Sequence, residues 1–245
     1  MFADFFKSRV QRNEERNLSS KYLVKNLLFW ALKILFAIRF KMFGSNSPIF
    51  KVCNTLDMKN IAIFASGAGS NAENIIRHFK NHPNVRVDSV WSNKKDAFVL
   101  QRVQNLGVES RYFTREEFSG SDQIIVELQR RHIDLVVLAG FLWLVPPEFV
   151  DAFTIINIHP ALLPTYGGKG MYGSFVHESV VRNKEKESGI TIHLVNKEYD
   201  KGEHLLQMKC PVYHDDTPET LAARIHDLEY KYFPQAIEDY LNRKL

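Results

Sequence analysis

Residues 60–72 read NIAIFASGAGSNA, and this stretch decides the fold class. The apolar run Asn60–Ala65 predicts a buried strand, residues 66–71 form a glycine-containing turn, and a helix is predicted over Ala72–Lys80. The alternation continues to the strongly apolar strand predicted at residues 133–139. Strands that alternate with helices are typical of a parallel sheet covered by helices. We therefore expect an α/β fold with three layers, Rossmann-like, in which the sheet is mostly parallel.

The second half of the chain departs from this simple alternation. Residues 189–195 and 204–212 are two predicted strands close in sequence, which favours antiparallel pairing. Thr217 precedes Pro218, and a proline at the first helical position is a good start for the last helix, which is predicted to run towards Leu241. The sheet is therefore expected to end in an antiparallel part.

An asparagine and a histidine stand two residues apart at the end of a predicted strand, in IINIHPALLP at residues 155–164. Residues i and i+2 of a strand point to the same face, so Asn157 and His159 are expected to project together. An amide donor beside a group that titrates near neutral pH suits a site that stabilises an oxyanion and moves a proton. The alternative is a strand end whose two polar side chains are satisfied by nearby backbone groups.

Two glycine-containing loops raise the question of phosphate binding. Residues 66–71 join a strand to a helix, where backbone amides and the helix N-terminus favour an anion. The acidic residue expected at the end of the next strand in a dinucleotide fold is missing, so a phosphate monoester fits better than a dinucleotide. A tight turn without a ligand is the alternative. Residues 167–170 lack the Ser or Thr of a P-loop after Lys169 and are interpreted as a mobile loop beside the site.

Charge divides the chain at about residue 57. Residues 1–57 contain ten Lys and Arg against four Asp and Glu, whereas residues 58–245 contain 22 against 24. The slightly acidic second part does not support a nucleic-acid partner. Residues 22–43 are apolar and aromatic but interrupted by charges, so they are too short for a spanning helix and would allow only an interfacial contact with a membrane.

We therefore divide the chain into an N-terminal extension, residues 1–57, and a catalytic domain, residues 58–245. The extension is either such an interfacial helix or upstream sequence translated ahead of a true start at Met58. Two cysteines, Cys53 and Cys210, have no metal-site spacing and read as reduced thiols in a cytoplasmic protein. No metal ligand set is visible in the sequence.

Four blocks of residues 58–241 together resemble the glycinamide ribonucleotide formyltransferases, folate-dependent enzymes of purine biosynthesis. In order, they are Ser66–Asn71, Leu138-Ala139-Gly140-Phe141, Asn157-Ile158-His159-Pro160 with Leu162-Leu163-Pro164, and Asp200-Lys201-Gly202 followed by Gln207. The resemblance implies the formyltransferase fold. It also implies transfer of the formyl group of 10-formyltetrahydrofolate, a co-substrate, to the amine of glycinamide ribonucleotide, without a metal. Whether the enzyme is a monomer or a homodimer is left open.

The resemblance also implies roles for individual residues. Asn157 and a protonated His159 would stabilise the oxyanion, and Asp200, which alone would be interpreted as a turn residue, would keep His159 protonated. Glu229, otherwise a residue of a solvated helix face, would bind the substrate amine. The remaining matches are Gly69, Ser70 and Asn71 for the substrate phosphate and Arg111, Leu142, Trp143, Leu144 and Val145 for the folate.

Two departures from the family pattern affect the folate end and the neighbouring loop. Many members have an arginine where Trp143 stands, and that arginine can meet the glutamate tail of the folate. The loop 166–175 is longer and richer in glycine than in common members.

Two related enzymes are disfavoured as alternative functions. Methionyl-tRNA formyltransferase needs a further C-terminal domain and a basic face, and formyltetrahydrofolate hydrolase needs a larger N-terminal module.

A third alternative belongs to another functional class. It is a membrane-associated or inactive binding protein in which the N-terminal extension is the functional part. Deleting residues 1–57 would then abolish function, whereas the enzyme hypothesis predicts that activity is retained from Met58.

Overall fold

The computed structural model describes residues 58–243. Both interpretations of the N-terminal extension, and the membrane contact through residues 22–43, lie outside the described residues. In chain order the elements are β1 (Lys59–Phe64), α1 (Ser70–Phe79), β2 (Val85–Ser92), α2 (Phe98–Gln104), β3 (Glu109–Tyr112), α3 (Arg115–Ser119), α4 (Gln123–Arg130), β4 (Ile133–Leu138), α5 (Pro147–Ala152), β5 (Ile155–His159), α6 (Ser174–Arg182), β6 (Glu187–Leu194), β7 (His204–Pro211) and α7 (Pro218–Arg243).

Within the described residues, seven strands form one sheet in the order β3-β2-β1-β4-β5-β6-β7. The first five strands in this order run parallel. Along the chain, each of the strands β1 to β5 is joined to the next by a crossover that contains a helix, as parallel pairing requires. The pairs β5–β6 and β6–β7 are antiparallel. The predictions of a mostly parallel sheet and of an antiparallel end are both confirmed.

Helices cover both faces of the sheet, because successive residues of the buried strands point to opposite faces. On β1, Ile61 and Ile63 belong to the core that α1, α2, α6 and α7 complete. Ala62 and Phe64 belong to the core on the other face, to which α3, α4 and α5 contribute. The three-layer architecture follows from this alternation.

Two short helices were not predicted from the sequence. Helix α3 begins with a capping box, in which the Thr114 hydroxyl accepts from the amide of Glu117 and the Glu117 carboxylate accepts from the amide of Thr114. Helix α5 begins with Pro147 and buries Phe149. Both helices are too short to show a clear helical periodicity, so only the capping signals could have revealed them.

In the part of the chain from residue 58 to 243, no helix has both the length and the apolar character that crossing a membrane requires.

Candidate active site

Asn157, His159 and Asp200 meet at the carboxyl end of β5, beside a cavity of about 840 Å³ that all three line. Nδ1 of His159 lies 3.7 Å from Oδ2 of Asp200. Nδ2 of Asn157 donates a hydrogen bond of 3.2 Å to Nε2 of His193. The structure therefore brings the three residues implied by the resemblance to one place, although Asp200 comes from the connection between β6 and β7.

Asp200 is held in place by the backbone around it. Its φ of 53° lies in the left-handed region, which aspartate tolerates better than most residues. The amide of Gly168 donates to Oδ2 at 2.8 Å. Burial raises the pKa of Asp200. The His193 ring, the Gly168 amide and His159 lower it by more than burial raises it, so the pKa lies below its usual value. Asp200 is therefore a carboxylate at neutral pH.

His159 is buried, and both of its ring nitrogens face acceptors. Nε2 donates to the carbonyl oxygen of Tyr166 at 2.7 Å, and Nδ1 faces Asp200. Burial lowers the pKa of His159 more than Asp200 and the Tyr166 carbonyl raise it, so the pKa lies below its ordinary value. The expectation that Asp200 keeps His159 protonated therefore needs correction. The carboxylate opposes the effect of burial but does not overcome it.

A fourth residue of this cluster, His193 on β6, is one that the sequence alone presents as a core histidine. Its side chain is buried, with Nδ1 donating to the carbonyl oxygen of Leu194 at 2.8 Å and Nε2 3.6 Å from Oδ1 of Asp200. It lies directly opposite Asn157 in the antiparallel register. Only this register, which is not visible in the sequence, shows that His193 is part of the site.

The turn between β1 and α1 lines the same cavity, with the N-terminus of α1 at Ser70. Gly69 has a φ of 75°, and a Cβ there would lie 2.5 Å from Cβ of Val99, so a side chain would not fit. The hydroxyl of Ser66 accepts from the amide of Leu142 at 3.0 Å, which ties this turn to the next loop. Lys94 also lines the cavity. Amides, a helix N-terminus and a lysine together suit an anion.

Glu229 on α7 is only 5% exposed, so the alternative of a solvated helix face is wrong. Its Oε2 accepts from Nδ2 of Asn71 at 2.8 Å and from Nδ1 of His226 at 2.9 Å. The bond to Glu229 raises the pKa of His226 above its ordinary value.

His177 on α6 also lines the cavity, and its buried Nδ1 has no partner among the described residues. His177 and His226 were not singled out from the sequence.

The four residues Leu142–Val145 line the cavity at the carboxyl end of β4. The ring of Trp143 packs on Phe113 and Phe118, with centroid distances of 6.0 and 6.1 Å. Arg111 is not among the residues that line the cavity. Its guanidinium pairs with Glu109 at 3.2 Å and with Glu127 at 3.3 Å. The predicted folate loop therefore lines the cavity. Arg111, which was also predicted to contact the folate, instead pairs with two carboxylates and does not line the cavity.

The glycine-rich loop lies beside the site, as predicted, since residues 168–173 line the cavity. A Cβ at Gly167 would lie 3.3 Å from Cβ of Asp200, so the backbone passes close to the carboxylate. Among residues 58–243, no group of three or more His, Cys, Asp and Glu is arranged to hold a metal ion.

Comparison with known proteins identifies the family of this chain. Residues 59–237 match the formyl transferase family. The chain is 40% identical over 187 residues to a chloroplastic phosphoribosylglycinamide formyltransferase of Arabidopsis thaliana, covering 73% of this chain and 64% of that protein. It is 36% identical over 196 residues to the phosphoribosylglycinamide formyltransferase of Haemophilus influenzae, covering 77% of this chain and 90% of that protein. The chain thus spans less than two thirds of the plant relative.

A solved structure has the same fold. The phosphoribosylglycinamide formyltransferase of Streptococcus pneumoniae superposes with a TM-score of 0.66 at 36% identity, covering 75% of this chain and 99% of that one. The resemblance inferred from the four sequence blocks is thereby confirmed. The chain belongs to the formyl transferase family, in the branch of the phosphoribosylglycinamide formyltransferases.

Proposed function

We propose that this chain transfers the formyl group of 10-formyltetrahydrofolate to the primary amine of glycinamide ribonucleotide, giving formylglycinamide ribonucleotide and tetrahydrofolate. One observation carries the proposal. One cavity is lined both by the turn at residues 66–71, where amides and a helix N-terminus suit an anion, and by the cluster of Asn157, His159 and Asp200. A substrate with a phosphate at one end and a reacting amine at the other fits such a cavity.

The phosphate would bind at the N-terminus of α1, to the amides of Gly69, Ser70 and Asn71. Lys94 lines the cavity and would add a positive charge. Glu229 would accept a hydrogen bond from the glycinamide amine and so orient the nucleophile. Because Glu229 already accepts from Asn71, the phosphate end and the amine end of the substrate would be positioned by connected groups.

The chemical step would begin with attack of the amine nitrogen on the formyl carbon. The formyl oxygen becomes an oxyanion, and Asn157 donates a hydrogen bond to it. His159, neutral at first because burial lowers its pKa, takes a proton from the attacking nitrogen at Nδ1, since Nε2 already donates to the Tyr166 carbonyl. The charge of Asp200 stabilises the imidazolium formed in this way. His159 then gives the proton to the folate nitrogen as the bond from that nitrogen to the formyl carbon breaks.

The folate would bind along the loop Leu142–Val145. Backbone amides and carbonyls there can hold the pterin, and Leu142 and Leu144, 40% and 45% exposed, offer apolar surface to it. Binding would cover these side chains. The loop is held by Ser66 of the phosphate turn, so the two substrate sites share one support.

We further propose that residues 58–245 form the catalytic domain and that residues 1–57 are dispensable for the reaction. The substrates are small molecules, and we propose that neither a nucleic acid nor a metal takes part. A cytoplasmic location belongs to the proposal, since the free and buried thiol of Cys210 is compatible with a reducing compartment. The chain would act as a monomer or a homodimer.

A formyl-transfer assay tests the proposal. Release of tetrahydrofolate from 10-formyltetrahydrofolate is measured with and without glycinamide ribonucleotide, for the full chain and for a chain that starts at Met58. We expect release only with the ribonucleotide, in both proteins. Release without the ribonucleotide would show a hydrolase instead. Activity in the full chain alone would show that the N-terminal extension is required.

A further inference from the structure

Tyr166, which follows β5, has a backbone conformation that a tyrosine rarely adopts. Its φ of 58° lies in the left-handed region, where a bulky side chain is unfavourable. Such a conformation persists only where the surrounding structure holds it, and it is found most often at active sites. Here it accompanies a hydrogen bond of 2.7 Å from Nε2 of His159 to the carbonyl oxygen of Tyr166. The strained residue therefore bonds directly to a residue of the candidate site.

The side chain of Tyr166 is anchored at its far end, by the hydroxyl group. This hydroxyl donates to Oε1 of Glu185 at 2.7 Å and accepts from Nδ2 of Asn183 at 2.8 Å. Burial and the Glu185 carboxylate raise the pKa of Tyr166, so the phenol keeps the proton that it donates. Both partners lie between α6 and β6, and Tyr166 is not among the residues that line the cavity. The anchor is therefore outside the substrate site.

The chain that leads from β5 to Tyr166 is held as well, but only in its first part. The hydroxyl of Thr191 donates to the carbonyl oxygen of Ala161 at 2.7 Å and accepts from the amide of Leu163 at 3.0 Å. Gln207 donates to the carbonyl oxygen of Leu163 at 2.8 Å. Beyond Leu163, the position of the Tyr166 carbonyl depends on the anchored hydroxyl and on the packing of the ring against the core.

The bond to Tyr166 decides which nitrogen of a neutral His159 carries the proton. A carbonyl oxygen can only accept, so Nε2 is the donor and Nδ1 keeps its lone pair. Asp200 favours the opposite tautomer, but its Oδ2 is 3.7 Å from Nδ1, which is beyond hydrogen-bond distance. The bond of 2.7 Å outweighs this longer contact. The lone pair of Nδ1 is therefore free to accept a proton.

We propose that Tyr166 is a positioning residue that makes Nδ1 of His159 the base of the reaction. The inference rests on the proposed function and adds a residue outside the cavity to it. In the step, a proton of the attacking nitrogen bonds to the lone pair of Nδ1, and the electron pair of the broken N–H bond stays on that nitrogen. The imidazolium keeps its second N–H on the Tyr166 carbonyl. Without this acceptor, Nδ1 would carry the proton and donate towards Asp200, and it would offer no lone pair.

Tyr166→Phe tests the anchor, because it removes the hydroxyl and keeps the ring. We expect kcat for formyl transfer to fall about tenfold, the lower end for a lost hydrogen bond to a charged group. KM for both substrates should not change, since Tyr166 does not line the cavity. Glu185→Ala should lower kcat in the same way. The variant with both substitutions should be no slower than Tyr166→Phe, because both remove one and the same bond.

Two matched controls remove the same groups elsewhere. Tyr112→Phe removes the hydroxyl of an exposed tyrosine on β3. Glu187→Ala removes a carboxylate near Glu185 in the chain, one that pairs with Lys209 at the surface. Neither control should change kcat or KM.

Nitrogen-15 NMR of the histidine rings tests the tautomer without turnover, at a pH where His159 is neutral. In the wild type, Nε2 of His159 should have the shift of a protonated nitrogen and Nδ1 that of a bare one. In Tyr166→Phe the two shifts should move towards each other, as the second tautomer becomes populated. The melting temperature checks the fold.

Unchanged kcat in Tyr166→Phe, or an unchanged tautomer of His159, would overturn the inference. A fall in kcat/KM that comes from KM alone would overturn it too, because Tyr166 would then support substrate binding instead of His159. A change of tautomer in Tyr166→Phe would support the positioning role even in a protein that transfers no formyl group. Absence of transfer would refute the proposed function alone.

Discussion

Replacing Asp200 by asparagine removes one charge from the site and little else. The amide oxygen of asparagine can still accept from the Gly168 amide, which bonds to Oδ2 at 2.8 Å in the wild type. The fold and the φ of 53° should therefore be kept, since asparagine also tolerates the left-handed region. What the variant loses is the attraction between the carboxylate and an imidazolium at His159.

The size of that attraction follows from the distance of 3.7 Å between Nδ1 of His159 and Oδ2 of Asp200. Two unit charges at this distance attract by about 4 kcal/mol at an effective dielectric constant of about 20, and by about 1 kcal/mol in water. The side chains are 5% and 12% exposed, so the larger figure applies. The charge on His159 develops only during the reaction, so kcat should fall by about 100- to 1,000-fold.

The pH dependence provides a second and independent readout. The pKa of Asp200 lies below its usual value, so Asp200 stays ionised at the pH where His159 titrates, and the acid limb of the rate reports His159. Asp200 raises the pKa of His159, so the asparagine variant lowers it. The neutral imidazole then persists to lower pH, and the acid limb should move towards lower pH.

The assay is kcat for formyl transfer between about pH 5 and 9, with the melting temperature as a check on folding. Asp151→Asn is the control, because Asp151 is 63% exposed and, among residues 58–243, pairs only with Lys197 at the surface. It should leave both kcat and the acid limb unchanged. Near-normal turnover in Asp200→Asn with an unmoved acid limb would refute the role of Asp200.

Three further substitutions test other parts of the site. Asn157→Ala removes an oxyanion donor and should lower kcat about 100- to 1,000-fold with little change in KM, which steady-state kinetics would show. Gly69→Ala puts a Cβ 2.5 Å from that of Val99 at a φ of 75°, so KM for the ribonucleotide should rise, and a wild-type KM would contradict the phosphate site. Glu229→Gln should lower the pKa of His226 towards 6.5 in an NMR titration, whereas an unchanged pKa would show that their hydrogen bond is not the cause.

Much of the sheet could be predicted because its central strands β1, β4 and β5 are largely buried. Residues 133–139 are almost continuously apolar, and only a strand covered on both sides tolerates this pattern. The prediction misplaced the start of α1, which begins at Ser70 instead of Ala72, since polar residues of a first turn show no periodicity. The order of the strands in space depends on long-range pairing, and local sequence does not contain it.

Only part of the candidate site could be predicted from the sequence. The spacing of Asn157 and His159 places both side chains on one face of a strand, and that rule needs no knowledge of the rest of the chain. Asp200 was found only through the family resemblance, because nothing local distinguishes it from an ordinary turn aspartate. The pairing of Arg111 with Glu127 joins two different elements, so it could not be predicted from the sequence.

The site lies where the sheet changes from parallel to antiparallel, and this position explains its composition. β5 pairs in parallel with β4 and antiparallel with β6, so its carboxyl end meets the proposed folate loop, Leu142–Val145, on one side and His193 on the other. The chain must then turn back sharply after β6. A Cβ at Gly202 would collide with the carbonyl oxygen of Leu194, so the backbone at residue 202 lies too close to Leu194 for any side chain. This tight return fixes the backbone at Asp200 and holds the carboxylate against His159 before any substrate binds.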